Sequence, residues 1–300
     1  MRGLFRTGGI GFVGRRLLQL LPPDLFPTVY CLARRPEDLT LPDGWHAIQG
    51  ELGDPRTYEA ALSQCDTVLH LAAATGKELA SHYYSVNAEG TRLLLTSSER
   101  QGVGQFIYVS SIAAKFQNER HYHYAHSKRQ GEAAVQAGSL DYAIVRPTMI
   151  LGEGSPVLEG LMRLARGPAA VTFGGGHVRV QPIHVDDLCR VLIALLRRHP
   201  LGHLLFEAGG PELITIADLL RRIRQVARGR RGPMIHVPLA PVRGALAMLE
   251  PALFALLPLT AGQLATFAND GIADDDLSAR ELAPPELDLY AMLAGITVHA

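Results

Sequence analysis

The sequence predicts an α/β fold, a doubly wound parallel sheet followed by a smaller C-terminal lobe. From residue 3 to residue 147 short apolar runs alternate with stretches of helical period, as a parallel sheet with helical crossovers requires. A glycine-rich turn, Thr7-Gly8-Gly9-Ile10-Gly11-Phe12-Val13-Gly14, stands between the first run and the first helix. Past residue 150 the alternation loosens and glycine and proline become frequent, as in Gly152-Glu153-Gly154-Ser155-Pro156 and Gly174-Gly175-Gly176.

The first strand is read at Gly3 to Arg6, with a helix after the glycine turn that Pro22-Pro23 stops. Arg6 is unexpected, because the end of a buried strand is usually apolar. Either its side chain lies at the end of the sheet or the N-terminal register is unusual. Thr28 to Ala33 and Trp45 to Gln49 read as strands two and three, and Thr57 to Gln64 as a helix. Asp66 to Leu71 is strand four, running into Ala72-Ala73-Ala74. A helix from about Tyr83 to Gln101 leads into strand five, Gln105 to Val109. A helix from Tyr124 to Ala137 leads into strand six, Tyr142 to Arg146, and Pro147 ends the alternation. The division is 1–150 for the parallel sheet and 151–300 for the lobe, with a helix at about 185–197 returning to the sheet. Asp274-Asp275-Asp276 reads as a solvated turn, since adjacent charges are costly to bury.

Three hundred residues, 47% of them hydrophobic, suffice for a large core. Acidic and basic residues balance at 29 each, so no global field points to nucleic acid or lipid headgroups, and anion binding must be local. The three cysteines, Cys31, Cys65 and Cys189, are too few and scattered for a disulfide framework or a zinc site, which fits a reducing cytoplasm. The N-terminus enters its first strand directly, so no signal peptide is expected, and no apolar run is long enough to predict a membrane span.

The glycine spacing G-x-x-G-x-x-G, at Gly8, Gly11 and Gly14, suits a turn that lets a pyrophosphate approach the backbone and the helix N-terminus. Tyr124 and Lys128 stand four residues apart, on one face of a helix. A tyrosine of pKa about 10 is a poor proton donor and acceptor at neutrality, but a neighbouring cation favours the phenolate. Such a phenol can protonate a carbonyl oxygen as hydride arrives, or deprotonate an alcohol as hydride leaves. Ser110-Ser111 follow strand five, where a hydroxyl can polarise a carbonyl in the same crevice. Asn87, inside the preceding helix, has an amide able to hold a water or the backbone of the site.

With these residues in order the chain resembles the extended short-chain dehydrogenase/reductase superfamily, of NAD-dependent epimerase/dehydratase type. The segments TGGIGFVG, HLAA, VNAEGT, YVSS, YAHSK, IVRP and PIHVDD carry the resemblance. It implies a Rossmann sheet, Ser111, Tyr124, Lys128 and Asn87 as catalytic residues, and a dinucleotide held by Thr7, Gly8, Gly11, Phe12, Val13 and Gly14. Leu71, Ala72 and Ala73 join that dinucleotide site, as do Tyr124, Lys128 and Pro147, while Glu51 and Leu52 meet the adenine. The family usually has Asp where Glu51 stands. At the end of strand two, where NAD users carry an acidic residue, Ala33 is followed by Arg34-Arg35. A guanidinium forks well onto a phosphate, so NADP(H) is favoured over NAD(H). The phrases Gln181 to Asp187 and Pro258 to Leu264 resemble an atypical branch. That branch includes the nucleotide-binding accessory subunit of mitochondrial complex I, where the nucleotide is structural, and bacterial proteins labelled as sugar-nucleotide epimerases.

Nucleotide-sugar epimerases place an arginine four residues before the His of the His-Val-x-Asp motif. Here that position is Val180, and Arg179 precedes it, on the opposite face of a strand unless a bulge intervenes. Val237 to Leu259 is apolar apart from Arg243 and Glu250. It reads either as helices capping the site or as a surface for an apolar substrate, a peripheral membrane contact or a protein partner. His121, His123 and His126 lack carboxylates or cysteines at ligand spacing, so no metal is expected, and Tyr122 and His126 either line the cleft or face solvent. Asp186 and Asp187 read as helix-start caps that hold the lobe to the sheet. The resemblance further implies a small-molecule substrate, no nucleic-acid partner, and helices flanking strand five that can pair in a homodimer. Three activities stay open: net hydride transfer, epimerisation or dehydration without net cofactor change, and nucleotide binding without chemistry.

Overall fold

The structure, a computed structural model, describes residues 3–117, 121–257 and 259–293. Six parallel strands come from the first half: β1 (Leu4–Thr7), β2 (Val29–Ala33), β3 (Trp45–Gln49), β4 (Thr67–His70), β5 (Gln105–Val109) and β6 (Asp141–Pro147). Between them run α1 (Phe12–Leu20), α2 (Glu59–Leu62), α3 (Ala80–Tyr83), α4 (Thr91–Arg100) and α5 (His123–Ala137). The chain then builds small paired strands and helices: β7 (Ile150–Leu151), α6 (Pro156–Ala165), β8 (Ala170–Phe173), β9 (Arg179–Val180) and β10 (Ile183–His184). It returns to the sheet through α7 (Val185–Leu196) and β11 (Leu204–Ala208), then leaves it again as β12 (Ile214–Thr215), α8 (Ile216–Arg228), β13 (Met234–Val237) and α9 (Leu239–Leu253).

Among the described residues the main sheet has seven strands in the order β11-β6-β5-β4-β1-β2-β3, all parallel. The chain winds outward from β1 to β3, then restarts at β4 on the other side of β1. The switch point between β1 and β4 opens a crevice at their carboxyl ends. Strand alternation divides the core into two layers. Leu4, Val29, Leu69, Ile107 and Val145 meet α1 and α7 through Leu17, Leu188, Leu192 and Leu195. Phe5, Val68, Phe106 and Ile144 meet the opposite helices through Leu62, Leu94, Leu95 and Val135. A third cluster, with Leu158, Leu161, Leu219, Leu220 and Ile223, packs α6 against α8 in the lobe.

Besides shifts of one or two residues at element ends and a helix read at Thr57–Gln64 that is cut to Glu59–Leu62, three differences from the sequence reading bear on the site. β1 begins one residue later and pairs in regular register, Arg6 opposite Cys31 and Leu69, so an unusual register does not explain Arg6. The single helix read from Tyr83 to Gln101 is broken into α3, a π-helical turn over Tyr84–Gly90, and α4. There the side chain of Asn87 is drawn in to bond the loop after β4, and Gly90 fits against Leu52, which a Cβ would crowd at 3.0 Å. The seventh strand, β11, was not foreseen, since Leu204-Leu205-Phe206-Glu207-Ala208 is short and carries a carboxylate into a buried edge.

Candidate active site

The glycine turn fits a dinucleotide's pyrophosphate for steric reasons. Gly8 has φ +72°, and a Cβ there would stand 2.6 Å from Ala72 N. A Cβ on Gly14 would lie 2.0 Å from Gly8 O, so only glycine lets α1 start this close to the turn. Gly11 is the N-cap of α1 and supplies no side-chain cap, and no acidic residue occupies the first turn. The first N–H groups of α1 therefore face the crevice with their partial positive charge available to an anion. Phe12 and Val13, half-buried in that first turn, pack on the sheet–helix core.

Beneath this turn a buried chain of hydrogen bonds joins β1, β4 and the π turn. Ala72 N–H donates to Thr7 Oγ1 at 3.1 Å, and Thr91 Oγ1 donates to Asn87 O at 2.8 Å. Thr91 then accepts from His70 Nε2 at 2.9 Å, which leaves His70 Nδ1 to accept from the Thr7 hydroxyl at 2.7 Å. Burial, with Lys128 nearby, pushes the His70 pKa down to about 3, so the ring is neutral and one tautomer suits every partner. Asn87, wholly buried, clamps the loop after β4: Oδ1 accepts from Ala74 N at 2.7 Å, and Nδ2 donates to Ala74 O at 3.1 Å and to Ser127 Oγ at 3.0 Å. Its amide is spent on the Ala74 backbone and the Ser127 hydroxyl rather than offered to a ligand. Leu71, Ala72 and Ala73 are the half-buried residues this clamp holds against the crevice.

Ser111, Tyr124 and Lys128 converge at the carboxyl end of β5. Ser111, in extended backbone, caps a short 3-10 turn by accepting from Ala113 N at 3.2 Å, and its hydroxyl bonds the Tyr124 phenol. Lys128 is 1% exposed, donates to Val109 O at 2.8 Å and lies 4.2 Å from the centroid of Tyr108, on which His70 stacks. Burial pushes the Lys128 ammonium down to about 7, only partly offset by Glu132. The expected lowering of the Tyr124 phenol is corrected here. Burial raises it above its ordinary value, the Ser111 hydrogen bond opposes that, and the lysine that was to lower it is itself drawn toward neutrality. Tyr83 and Tyr122 surround the phenol, with ring centroids 6.0 and 5.8 Å from Tyr124, and Phe116 stacks on Tyr122. Tyr122, read from the sequence as lining the cleft or facing solvent, belongs to this wall; Tyr83, Phe116 and His70 escaped the sequence reading, because an aromatic among apolar neighbours looks like core.

The remaining sites lie where the sheet places them. Arg34 and Arg35 are exposed just past β2, with Arg35 paired to Asp38 at 3.2 Å. Glu51 is exposed and Leu52 buried past β3, the Leu52 carbonyl accepting from Tyr58. Pro147 ends β6 opposite Ala208, apart from the glycine turn in sequence but on the same end of the sheet. Val180 is buried, whereas Arg179 is half-exposed and donates from Nε and Nη2 to Asp270 Oδ2 at 2.8 and 2.6 Å, so no bulge turns it inward. At α7 the cap is His184, whose ring accepts from Asp186 N at 3.1 Å. Asp186 instead grips Arg16 of α1 at 2.5 and 2.7 Å, and Asp187 accepts from the N–H groups of Glu286 and Leu287. Asp186 thus ties α7 to α1 on one face of the sheet, and Asp187 ties α7 to the C-terminal segment, both as structural carboxylates. His123 accepts or donates at Nδ1 with Tyr84 OH. α9 packs through Leu246, while Lys77 donates to Leu257 O at 2.6 Å and fixes the segment after α9 to the loop after β4. Gly262 fits against His121 O and Tyr122, so the lobe closes on the residues leading to Tyr124. Pro258 lies outside the described residues.

The family model of the NAD dependent epimerase/dehydratase family matches residues 6–205, and the chain belongs to that family, within the extended short-chain dehydrogenase/reductase superfamily. It is 30% identical over 237 residues to a ceramide reductase of Caulobacter vibrioides, covering 77% of this chain and 72% of that one. It is 25% identical to a mitochondrial NADH dehydrogenase [ubiquinone] 1 alpha subcomplex subunit 9 of Dictyostelium discoideum, over 74% of this chain and 63% of the relative. In fold it matches the UDP-glucuronic acid 4-epimerase of Bacillus cereus in complex with UDP-glucuronic acid and NAD, with a TM-score of 0.74, 18% identity, and coverage of 98% and 97%.

Proposed function

We propose that this protein is a nicotinamide-dinucleotide oxidoreductase that interconverts a carbonyl and an alcohol on an apolar small molecule. The observation that carries the reading is the convergence of Ser111, Tyr124 and Lys128 at one end of β5, beside a glycine turn that only a backbone-hugging ligand such as a pyrophosphate would use. The bound dinucleotide would supply or take the hydride. Tyr124 moves the proton at the substrate oxygen, Ser111 holds that oxygen by a hydrogen bond and opposes the burial that raises the phenol, and Lys128 binds the ribose hydroxyls. Arg34 and Arg35 stand free of the sheet at the end of β2 and would grip a 2′-phosphate, which favours NADP(H). The apolar substrate is supported by the rings of Tyr83, Tyr122 and Phe116 around the phenol, by the apolar surface of α9, and by similarity to a ceramide reductase. A nucleotide sugar is disfavoured, since Arg179 is turned outward onto Asp270.

A non-catalytic reading has two observations behind it, the raised Tyr124 phenol and the likeness to a respiratory-complex subunit. Incubation with a lipid extract and NADPH deuterated at C4, read by mass spectrometry, separates the two. The proposal expects deuterated lipid products, a loss of at least about 100-fold in Tyr124→Phe, and an unchanged dinucleotide Kd in that variant. Absence of transfer from a dinucleotide that binds and does not exchange would establish the structural role. In Arg34→Asp the ratio of NADPH to NADH affinity falls; an unchanged ratio removes the cofactor assignment.

A further inference from the structure

Arg6 and Arg224 are the largest fully buried side chains among the described residues; carbonyls surround Arg224, whereas the surroundings of Arg6 supply it with little. Its Nη2 donates to Gly14 O at 2.9 Å, in the first turn of α1. Among the described residues no protein group accepts from Nε or Nη1. The groups that interact with it electrostatically are Cys31 and Cys189, two thiols that burial pushes up to about 11 and about 12 and so keeps neutral. Asp186 and Asp187, the carboxylates nearest in sequence to Cys189, are already engaged: Asp186 is bidentate on Arg16, and Asp187 accepts from Arg190 and from the N–H groups of Glu286 and Leu287. Burial lowers the pKa of Arg6, but an arginine stays protonated in proteins at neutrality. Among the described residues, therefore, this buried positive charge has no counter-ion, an arrangement that costs stability unless something compensates it.

Strand alternation shows what could. Arg6 points to the α1 side of the sheet, and its Nη2 lies 3.9 Å from where a Cβ on Gly9 would stand. The guanidinium thus underlies the glycine turn, on the side away from the crevice, and its one hydrogen bond is made to the start of the helix whose free N–H groups face that crevice.

We propose that Arg6 is an electrostatic ligand for the pyrophosphate of the dinucleotide, acting through the glycine turn from beneath. This deepens the dinucleotide-binding reading above and rests on it. Charge on the far side of a thin glycine backbone is little screened by water, so it reinforces the helix N-terminus while touching no ligand atom. The same charge is uncompensated in the ligand-free chain, so anion binding and stability are coupled through this one residue. A purely structural arginine, bracing α1 to β1 through Gly14, would behave differently. Its loss would destabilise the free protein and weaken charged and uncharged ligands alike.

Titration of the full chain with NADPH, NADH, inorganic pyrophosphate and adenosine, in the wild type, Arg6→Met and Arg6→Gln, distinguishes these. Both variants remove the charge, and Gln keeps a donor for Gly14. The proposal expects the dinucleotides and pyrophosphate to bind about 10-fold more weakly in both, a change of ~1.4 kcal/mol. Adenosine affinity is unchanged, and the ligand-free Tm equals or exceeds that of the wild type. The loss persists at high salt, where any contribution from exposed Arg34 and Arg35 is screened. Unchanged pyrophosphate affinity, or an equal loss for adenosine with a lowered Tm, overturns the proposal and leaves dinucleotide binding standing. If neither variant folds, the wild type decides: inorganic pyrophosphate must raise its Tm, and a Tm that does not move overturns the proposal. A wild type that binds no dinucleotide overturns both the proposal and the reading beneath it.

Discussion

Lys128 shows how one residue's burial becomes a property of the whole chain. In the unfolded chain a lysine titrates near its ordinary value, while in the folded protein burial holds Lys128 at about 7. Between these values the unfolded state binds more protons, so stability from this group rises with pH above about 7. Relative to Lys128→Met, the wild type should gain about 2 kcal/mol between pH 7 and pH 9, measured by denaturant unfolding at each pH. A difference that is flat or falling over that window would mean the ammonium is not held in this environment. The positions of Lys128 and Tyr124 on one helix face were legible in the sequence, because helical spacing alone dictates them. The direction of the phenol's shift was not, since it depends on how deeply α5 is packed and on Tyr83 and Tyr122 closing round it. Arg6 was legible only as an anomaly. Its register turned out ordinary, and its explanation lies in the turn above it rather than in the strand.

Among the elements, the turn after Ser111 is fixed by a strand the sequence pattern did not reveal. Lys115, at the end of that turn, donates to Glu207 of β11 at 2.7 Å and to Asp274 at 2.8 Å. Arg146 of β6 is bidentate on Glu132 of α5 at 2.6 and 2.9 Å and approaches Glu207 at 3.9 Å. A ladder of charges thus ties α5, β6, β11 and the Ser111 turn together, with Glu132 also facing Lys128. It also explains why β11 hides from a hydrophobic pattern: Glu207 is buried because Lys115 meets it, a pairing across 92 positions that no local reading detects. Removing one member of a buried pair strands the other, so Glu207→Met should cost about 3 kcal/mol in chemical denaturation. The double variant Lys115→Met/Glu207→Met should recover a large part of that loss. Additive losses would show that the two charges are not coupled. The β1–β6 alternation and the glycine turn were readable because parallel strands and their crossovers have a fixed period, whereas the π turn over Tyr84–Gly90 depends on a bond from Asn87 to a loop 13 residues away.

At the scale of the molecule, the later part of the chain is bound to the sheet by the Asp187 contacts and by Lys77, which fixes the segment after α9 to the loop after β4. α9 and that segment are unusual in what they leave outside. Leu246 is the buried residue of α9, whereas Met248 is 76% exposed, Leu256 is 80% exposed, and Leu249 and Leu253 are also exposed. Single exposed leucines are ordinary, but several in one short segment form a patch suited to an apolar surface. No helix among the described residues is long and apolar enough to cross a membrane, so any such contact would lie along the interface. If the substrate is an apolar molecule drawn from a bilayer, this segment is where it would leave the lipid, next to the rings around Tyr124. Co-sedimentation of the pure protein with vesicles of phosphatidylcholine and phosphatidylglycerol at low salt should then show binding, and the double variant Met248→Glu/Leu256→Glu should abolish it. Because Met248 and Leu256 are exposed rather than packed in the core, the same variant should keep its NADPH affinity, which guards against mistaking a misfolded lobe for a lost contact. Wild-type protein that stays in the supernatant would instead assign α9 to covering the site from water, with its exposed leucines serving no lipid.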